Sequence, residues 1–244
     1  MRKLLKRMSP ARIIALGFAA AIFIGSGLLM LPCSVRNGVD LKYIDALYTS
    51  ASAVCVTGLV TVDIGDTFTA FGQFVVAALI QIGGLGVASM GAGVILAVGK
   101  RINLKGRRVL RDAMNLDSGK GIVKFIKSVF LTTAAFELVG AALSFIVFVR
   151  DYPPLKALGI SLFHSVAAFN NSGFDILGNF QSLSAYKEDV FLNLVTCLLI
   201  FFGGIGFLVI REIVEKRFRW RRFSMHTKVV LTMSVALTVG GAVI

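Results

Sequence analysis

The stretch ALYTSASAVCVTGL at residues 46–59 decides the fold, because the chain repeats its pattern as SLFHSVAAFNNSGF at residues 161–174. Each copy is a short, half-apolar segment that runs into polar residues and a glycine. A long apolar run containing Gly-Gly-x-Gly follows each copy, at 83–86 and at 203–206. Repeated long, short and long apolar pieces predict a helical membrane bundle with two loops that enter the membrane and return to the same side.

The composition supports a membrane protein. With 56% hydrophobic residues, the chain is too apolar for an ordinary soluble domain. Runs of about 20 apolar residues are long enough to cross a bilayer. Five such runs are predicted to be spans: 13–31, 71–98, 123–149, 190–210 and 229–244. The first is predicted to be a retained helix, since it is too long for a signal peptide and lacks a small-residue cleavage site.

The basic residues are concentrated on one set of connections. Of 26 Lys and Arg, five lie in residues 1–12, nine in 100–127 and seven in 211–228, whereas eight of the 13 acidic residues lie on the other connections. This asymmetry predicts that the N-terminus and both basic loops are cytoplasmic. The net charge of +13 therefore does not indicate a nucleic-acid partner. Contact of the basic loops with anionic lipid head groups is compatible with the same distribution.

The repeated units are predicted to have the same orientation, as a parallel repeat. Between the spans, residues 43–63 and 158–178 are too short and too polar to cross the membrane and return as full spans. A helix of a dozen residues is about 18 Å long, roughly half a bilayer. Each segment is therefore predicted to enter from outside as a helix and to return as extended backbone.

These observations predict six segments along the chain. They are a cytoplasmic N-terminus (1–12), a first helix–pore loop–helix repeat (13–98), a cytoplasmic basic loop (99–122), a second repeat (123–210), a second basic loop (211–228) and the start of a third repeat (229–244). The last run has 16 residues, fewer than a comfortable crossing needs. Truncation of a longer chain is the simplest explanation.

The glycine loops are the candidate ion-binding site. Backbone carbonyls replace the water of a dehydrated cation in channels, and glycine adopts the unusual dihedrals that such loops need. The predicted filter residues are Cys55, Val56, Thr57 and Gly58 in the first loop and Asn170, Asn171, Ser172 and Gly173 in the second. Asp63 and Asp175 follow the loops and are predicted to concentrate cations at the outer mouth. The alternative is that both glycines only mark tight turns.

Several motifs together resemble the Trk/Ktr/HKT potassium transporters, most closely the bacterial KtrB branch. They are AVCVTGLVTVD at 53–63, FGQ at 71–73, IQIGGLG at 80–86, HSVAAFNNSGF at 164–174 and FSMHTK at 223–228. The resemblance covers nearly the whole chain. It implies a potassium-channel-like, pseudo-fourfold pore built from four such repeats in one polypeptide, of which this chain carries two.

The resemblance also implies a function and partners. It implies potassium uptake across a bacterial cell membrane, with sodium as an activating or coupling ion and no covalently bound cofactor. A homodimer of the complete subunit would rest on a ring of cytosolic nucleotide-binding subunits of the KtrA/TrkA type. Basic residues at 105–108 and 217–222 are candidate contacts for that partner, or solvated or lipid-facing charge. Sodium-selective family members often carry serine at the position of Gly58, so glycine favours potassium.

Several polar residues outside the two glycine loops are candidates for other roles. Glu137, near the middle of the third span, is either a coupling site for protons or sodium or, as we favour, a buried carboxylate bonded to a neighbouring helix. His164 is expected to brace the second loop, and Gln81 and Asn193 to bond between helices.

The three cysteines and two histidines offer neither metal-like spacing nor a nucleophile with its base, so no enzyme is predicted. A sodium-permeable relative, a channel of paired two-repeat chains and a fragment inactive by itself remain alternatives.

Overall fold

The computed structural model describes residues 10–86, 89–93, 106, 109–111, 121–217 and 219–243. Within them the protein is all-helical and forms no strand, apart from one isolated bridge between Val35 and Phe68. The all-helical class predicted from the sequence is confirmed. Most of the predicted basic loop 99–122, including the candidate contacts around 105–108, lies outside the described residues.

The helices follow the repeated order of the sequence. They are α1 (Pro10–Leu29), α2 (Tyr43–Cys55), α3 (Ile64–Thr67), α4 (Ala70–Leu85), α5 (Ile122–Phe148), α6 (Pro154–Phe169), α7 (Val190–Gly204), α8 (Phe207–Glu215) and α9 (Met225–Val243), with short 3-10 helices at Ser184–Tyr186 and Trp220–Arg222. Two helices in the described part of the chain are long and apolar enough to cross a membrane, Ala11–Leu29 and Ile122–Phe148. A third span results if α7 and α8, which are bent by 96°, count as one.

Helices α2 and α6 pack against their neighbours through matching contacts. In the first unit, Ser50 on α2 donates a hydrogen bond to the carbonyl of Ile22 on α1 (2.8 Å). In the second, Ser165 on α6 donates to the carbonyl of Glu137 on α5 (2.7 Å). Each pair is separated by 28 residues, so the two units place a short helix against a long one in the same way.

The Gly-Gly-x-Gly motifs hold the ends of α2 and α6 close to α4 and α7, the helices that carry the motifs. A Cβ on Gly83 would overlap the carbonyl oxygen of Val54, and a Cβ on Gly203 would overlap that of Phe169. The first glycine of each motif therefore lies against the last turn of the adjacent short helix, where no other residue fits. Close packing of each short helix against the helix that carries the motif therefore depends on this glycine.

The last glycine of each motif ends its helix, which the sequence did not predict. Gly86 and Gly206 have φ of 79° and 86°, a region that residues with a Cβ rarely enter. The predicted spans 71–98 and 190–210 are consequently interrupted: α4 ends at Leu85, and α7 ends at Gly204 before the bend into α8. Apolar composition alone had suggested two uninterrupted helices.

The connection between α8 and α9 is folded around one carboxylate. Glu212 on α8 accepts hydrogen bonds from the backbone N–H of Ser224 (2.8 Å) and from the hydroxyl of Thr227, and it pairs with Lys216. An acidic group at the start of α9 is stabilising because it faces the positive end of the helix dipole. The predicted loop 211–228 is thus partly helical, with residues 219–222 exposed.

Adjacent glycines of the second motif give a matched test of this packing. Gly203→Ala is expected to destabilise the protein by about 1–3 kcal/mol, since its Cβ would displace the backbone at Phe169. Gly204→Ala is expected to be tolerated, since the nearest atom lies 3.8 Å from the added Cβ. Thermal unfolding of the purified variants in detergent measures both, and equal unfolding temperatures would contradict the predicted contact.

Candidate functional site

Both glycine loops begin with the same helix-terminating turn. After α2, Val56 has φ 55° and the N–H of Thr57 donates to the carbonyl of Ser52 (3.0 Å). After α6, Asn171 has φ 56° and the N–H of Ser172 donates to Ala167 (2.9 Å). This bonding, with a left-handed residue just beyond the helix, is the Schellman motif. It reverses the chain at the end of each short helix.

A valine in the left-handed region is a position that sequence reasoning missed. Only the glycines were expected to adopt unusual dihedrals, whereas Val56 adopts one too. A β-branched residue with positive φ is a true outlier, and such strain is maintained only where the surroundings determine the conformation. The only sequence signal was its alignment with Asn171, because asparagine tolerates this region.

The two predicted glycines lie side by side. Gly58 and Gly173 have φ of 70° and 74°. A Cβ on Gly58 would lie 2.6 Å from the carbonyl oxygen of Ser172 and 3.2 Å from the Cα of Gly173. The structure therefore brings together two loops that are 115 residues apart in the chain (58 to 173).

The eight predicted filter residues differ in burial between the loops. Cys55, Thr57, Asn171 and Gly173 are exposed, Val56 and Gly58 are half-buried, and Asn170 and Ser172 are buried. The hydroxyl of Ser172 donates back to the carbonyl of Ala167 (3.1 Å), and that of Thr57 bonds with Ser52 (2.8 Å). Among the described residues, no hydrogen bond ends on the carbonyl oxygens of these eight residues. A carbonyl without a hydrogen bond is what the predicted role as a cation ligand requires.

The segments after the two loops are clasped together by carboxylates. Asp63 caps α3 by accepting from the N–H of Asp66 (2.9 Å), and its second oxygen accepts from the N–H of Phe180 (2.7 Å). Asp66 accepts from the N–H of Asn179 (2.8 Å). Asn179 and Phe180 have φ of 57° and 52°, so these bonds hold two strained residues. Asp63 thus joins the two units and is nearly buried.

Asp175 lies in the outer connection after the second loop and is half-buried. Burial raises the pKa of its carboxyl, a hydrogen bond from the N–H of Leu177 (3.0 Å) lowers it, and the charge of Asp63 raises it further. A raised pKa means that acidification neutralises this carboxylate earlier than an ordinary aspartate. Of the two acids predicted at the outer mouth, Asp63 therefore links the two repeats by hydrogen bonds, and Asp175 is a carboxyl with a raised pKa.

The remaining singled-out residues bond as follows. Glu137 accepts a hydrogen bond from the side chain of Asn170 (3.2 Å), and Gln81 accepts one from the same amide (2.8 Å). His164 bonds with Thr196 on α7 (3.0 Å). Asn193 instead donates to the carbonyls of Tyr186 and Lys187. This amide ties α7 to the short 3-10 helix Ser184–Tyr186 and to the residue after it.

The described residues contain no cluster of three or more His, Cys, Asp or Glu side chains suited to a metal ion. The predicted ligands of the two loops are backbone carbonyl oxygens, the ligand type that channels use for alkali cations. The fold and this site define a class: an all-helical membrane protein in which two equivalent helix–loop–helix units bring glycine loops together.

Comparison with known proteins identifies the family. The family model TrkH, described as cation transport protein, matches residues 8–239. The chain is 42% identical to the Ktr system potassium uptake protein B of Bacillus subtilis over 95% of this chain and 51% of that protein. It is 37% identical to the potassium/sodium uptake protein NtpJ of Enterococcus hirae, over 100% and 53% respectively. The Ktr system potassium uptake protein D of Bacillus subtilis is 36% identical over 99% and 54%.

The chain belongs to the TrkH family of cation transport proteins. The resemblance to the Trk/Ktr transporters seen in the sequence is therefore confirmed. This is a family of cation transporters and not of enzymes. The chain spans about half the length of the curated relatives that it matches.

Replacing Asp63 tests the electrostatic link between the two acids. Asp63→Asn is expected to lower the pKa of Asp175, because removing a nearby negative charge makes ionisation easier. A folded-state carboxyl with a raised pKa costs stability as the pH rises through its titration, so this pH dependence is expected to weaken in the variant. Infrared or carbon NMR titration of the labelled carboxyl measures the shift. An unchanged or higher pKa would contradict the link.

Proposed function

We propose that this chain supplies two of the four repeats of the pore-forming subunit of a potassium uptake system. The observation that carries the proposal is the meeting of Gly58 and Gly173, each following an identical helix-terminating turn. Two loops that did not arise by repetition would not be expected to have the same turn and also to lie in contact. Membership of a cation transport family supplies the class of substrate.

The proposed mechanism is dehydration at a filter of backbone carbonyls. Cys55, Val56, Thr57 and Gly58 supply carbonyl oxygens from one side, and Asn170, Asn171, Ser172 and Gly173 supply them from another. Helices α2 and α6 end at these loops, so the negative ends of their dipoles favour a cation there. Selectivity depends on the number and field strength of the ligands, and no covalent step is involved.

The remaining ligands come from elsewhere in the same polypeptide. A potassium ion needs more oxygens than two loops can offer, and the chain covers about half of its relatives' length. The proposed pore needs two further repeats to supply these ligands, and 229–244 is the proposed start of the third. The boundaries 1–12, 13–98, 99–122, 123–210 and 211–228 remain our proposed division of this half.

The proposed topology, partners and coupling ion follow from the distribution of basic residues and from the resemblance to the Trk/Ktr transporters. The protein is a multi-pass protein of a bacterial cell membrane with a cytoplasmic N-terminus, since the basic residues favour that side. The complete subunit forms a homodimer and binds a cytosolic nucleotide-binding subunit of the KtrA/TrkA type. The exposed basic residues at 219–222 are candidate contacts for it. Sodium acts as an activating or coupling ion, and Asp175 attracts cations at the outer mouth.

A sodium-permeable transporter is the second candidate. The relative from Enterococcus hirae is named a potassium/sodium uptake protein and is 37% identical to this chain. The same loops serve either ion, because a filter of carbonyls discriminates by cavity and field and not by ligand type. Gly58 favours potassium, as family members selective for sodium often carry serine there. Uptake of rubidium against sodium by the complete protein separates the two candidates.

Serine substitutions at the two loop glycines test the filter. Gly58→Ser is expected to reduce discrimination against sodium by about tenfold or more, since the added Cβ would be forced towards the carbonyl oxygen of Ser172, 2.6 Å away. Gly173→Ser has the same φ penalty but a nearest contact of 3.4 Å, so a smaller loss is expected. Rubidium uptake in the presence of sodium measures both in the complete transporter. Unchanged selectivity in Gly58→Ser would remove the first loop from the filter.

The chain by itself is expected not to transport potassium. One copy supplies two loops, which leave the proposed filter open on one side. Growth of potassium-uptake-deficient cells on low potassium measures this, with cells expressing the complete gene as the control. Rescue by residues 1–244 alone would favour the alternative of paired two-repeat chains, provided that cross-linking shows a dimer.

A further inference from the structure

We propose that Gln81 and Glu137 are positioning residues that fix the second glycine loop through the side chain of Asn170. The inference rests on the proposed function and adds to it residues outside both loops. Gln81 comes from α4 in the first unit and Glu137 from α5 in the second. Asn170 is the first residue of the second loop, so the three side chains bridge the two units directly behind it.

The geometry shows a bridge and not a chance proximity. The side-chain nitrogen of Asn170 lies 2.8 Å from Oε1 of Gln81, 3.2 Å from Oε1 of Glu137 and 2.9 Å from the carbonyl oxygen of Val166. Two N–H groups thus serve three acceptors, of which two belong to other helices. The carbonyl oxygen of the amide fits against Gly84, where a Cβ would overlap it. Every atom of this amide is therefore placed.

The apolar surroundings of Asn170 make the loss of these hydrogen bonds costly. Asn170 is 8% exposed, and Gln81 and Glu137 line one side of an apolar cavity of about 470 Å³ between α4 and α6. A polar group in such surroundings is costly unless it is hydrogen-bonded. The amide of Asn170 consequently keeps these hydrogen bonds. Its fixed position sets the orientation of the backbone that follows, Asn171 to Gly173.

Within the part of the chain that the structure describes, the first loop has no such bridge. Cys55 stands where Asn170 stands in the second unit, and Ile22 stands where Glu137 stands (an offset of 115 in each case). Phe201 occupies the place of Gln81 at the offset of 120 that aligns Gly83 with Gly203. All three polar positions are apolar or weakly polar in the other unit. The bridge is therefore a feature added to one quarter of the proposed pore.

The test compares variants of the complete transporter that contains this chain, with rubidium uptake and its inhibition by sodium as the readout. Gln81→Leu and Glu137→Leu are expected to lower rubidium-over-sodium selectivity about fivefold each, the effect of losing one hydrogen bond. Glu137→Gln keeps an oxygen acceptor of the same shape and is expected to retain selectivity. Gln73→Leu is the matched control, since Gln73 lines the same cavity on α4 but donates to the carbonyl of Phe68.

Three outcomes would overturn the inference. Wild-type selectivity in Gln81→Leu and Glu137→Leu would show that the bridge does not position the loop. Equal impairment of Glu137→Gln and Glu137→Leu would show that charge matters and not hydrogen-bond acceptance. If the unmutated protein carried no rubidium, the proposed function would fail, yet the bridge would remain testable by unfolding. The temperature shifts of Gln81→Leu and Asn170→Ala are expected to be non-additive, and additive shifts would overturn it.

Discussion

The approach of a glycine to the last carbonyl of each short helix is the constraint on which the structure depends. Gly83 faces the carbonyl of Val54, and Gly203 faces that of Phe169, at distances that admit no side chain. Helices α2 and α6 can therefore end deep within the bundle, beside α4 and α7. Because both ends are fixed in the same way, the loops that follow them leave at equivalent points and meet at Gly58 and Gly173.

The sequence predicted the elements well because its signals were periodic and repeated. The long helices α1 and α5 lie within a few residues of the predicted spans, and α2 begins at Tyr43 as expected. Helix α6 begins at Pro154, four residues before the predicted start, because proline is favoured in the first turn of a helix. The breaks at Gly86 and Gly206 were not predicted, since a glycine within an apolar run has the same hydropathy whether the helix continues or ends.

The pairing of the two glycine loops was visible in the sequence, but the residues that support the loops were not. The glycines of both loops came from the repeat, whereas the clasp of Asp63 and Asp66 around 178–180 and the bridge of Gln81 and Glu137 to Asn170 did not. Such contacts join residues 33 to 117 positions apart. No local pattern encodes a pairing at that distance. The type of residue was visible in each case, and the partner was not.

The two units share a backbone plan and differ in their side chains, and this difference bears on function. In a pore of identical subunits, any change to the filter is made four times. In a chain with internal repeats, each loop can be tuned alone, as the polar bridge at Asn170 and the hydroxyl pair of Ser52 and Thr57 illustrate. The second loop is held from behind by the buried amide of Asn170 and the half-buried side chains of Gln81 and Glu137, and the first by its own helix. In the proposed filter, unequal loops would allow ligand field strength to be adjusted on one side without disturbing the contacts of Gly83 and Gly203.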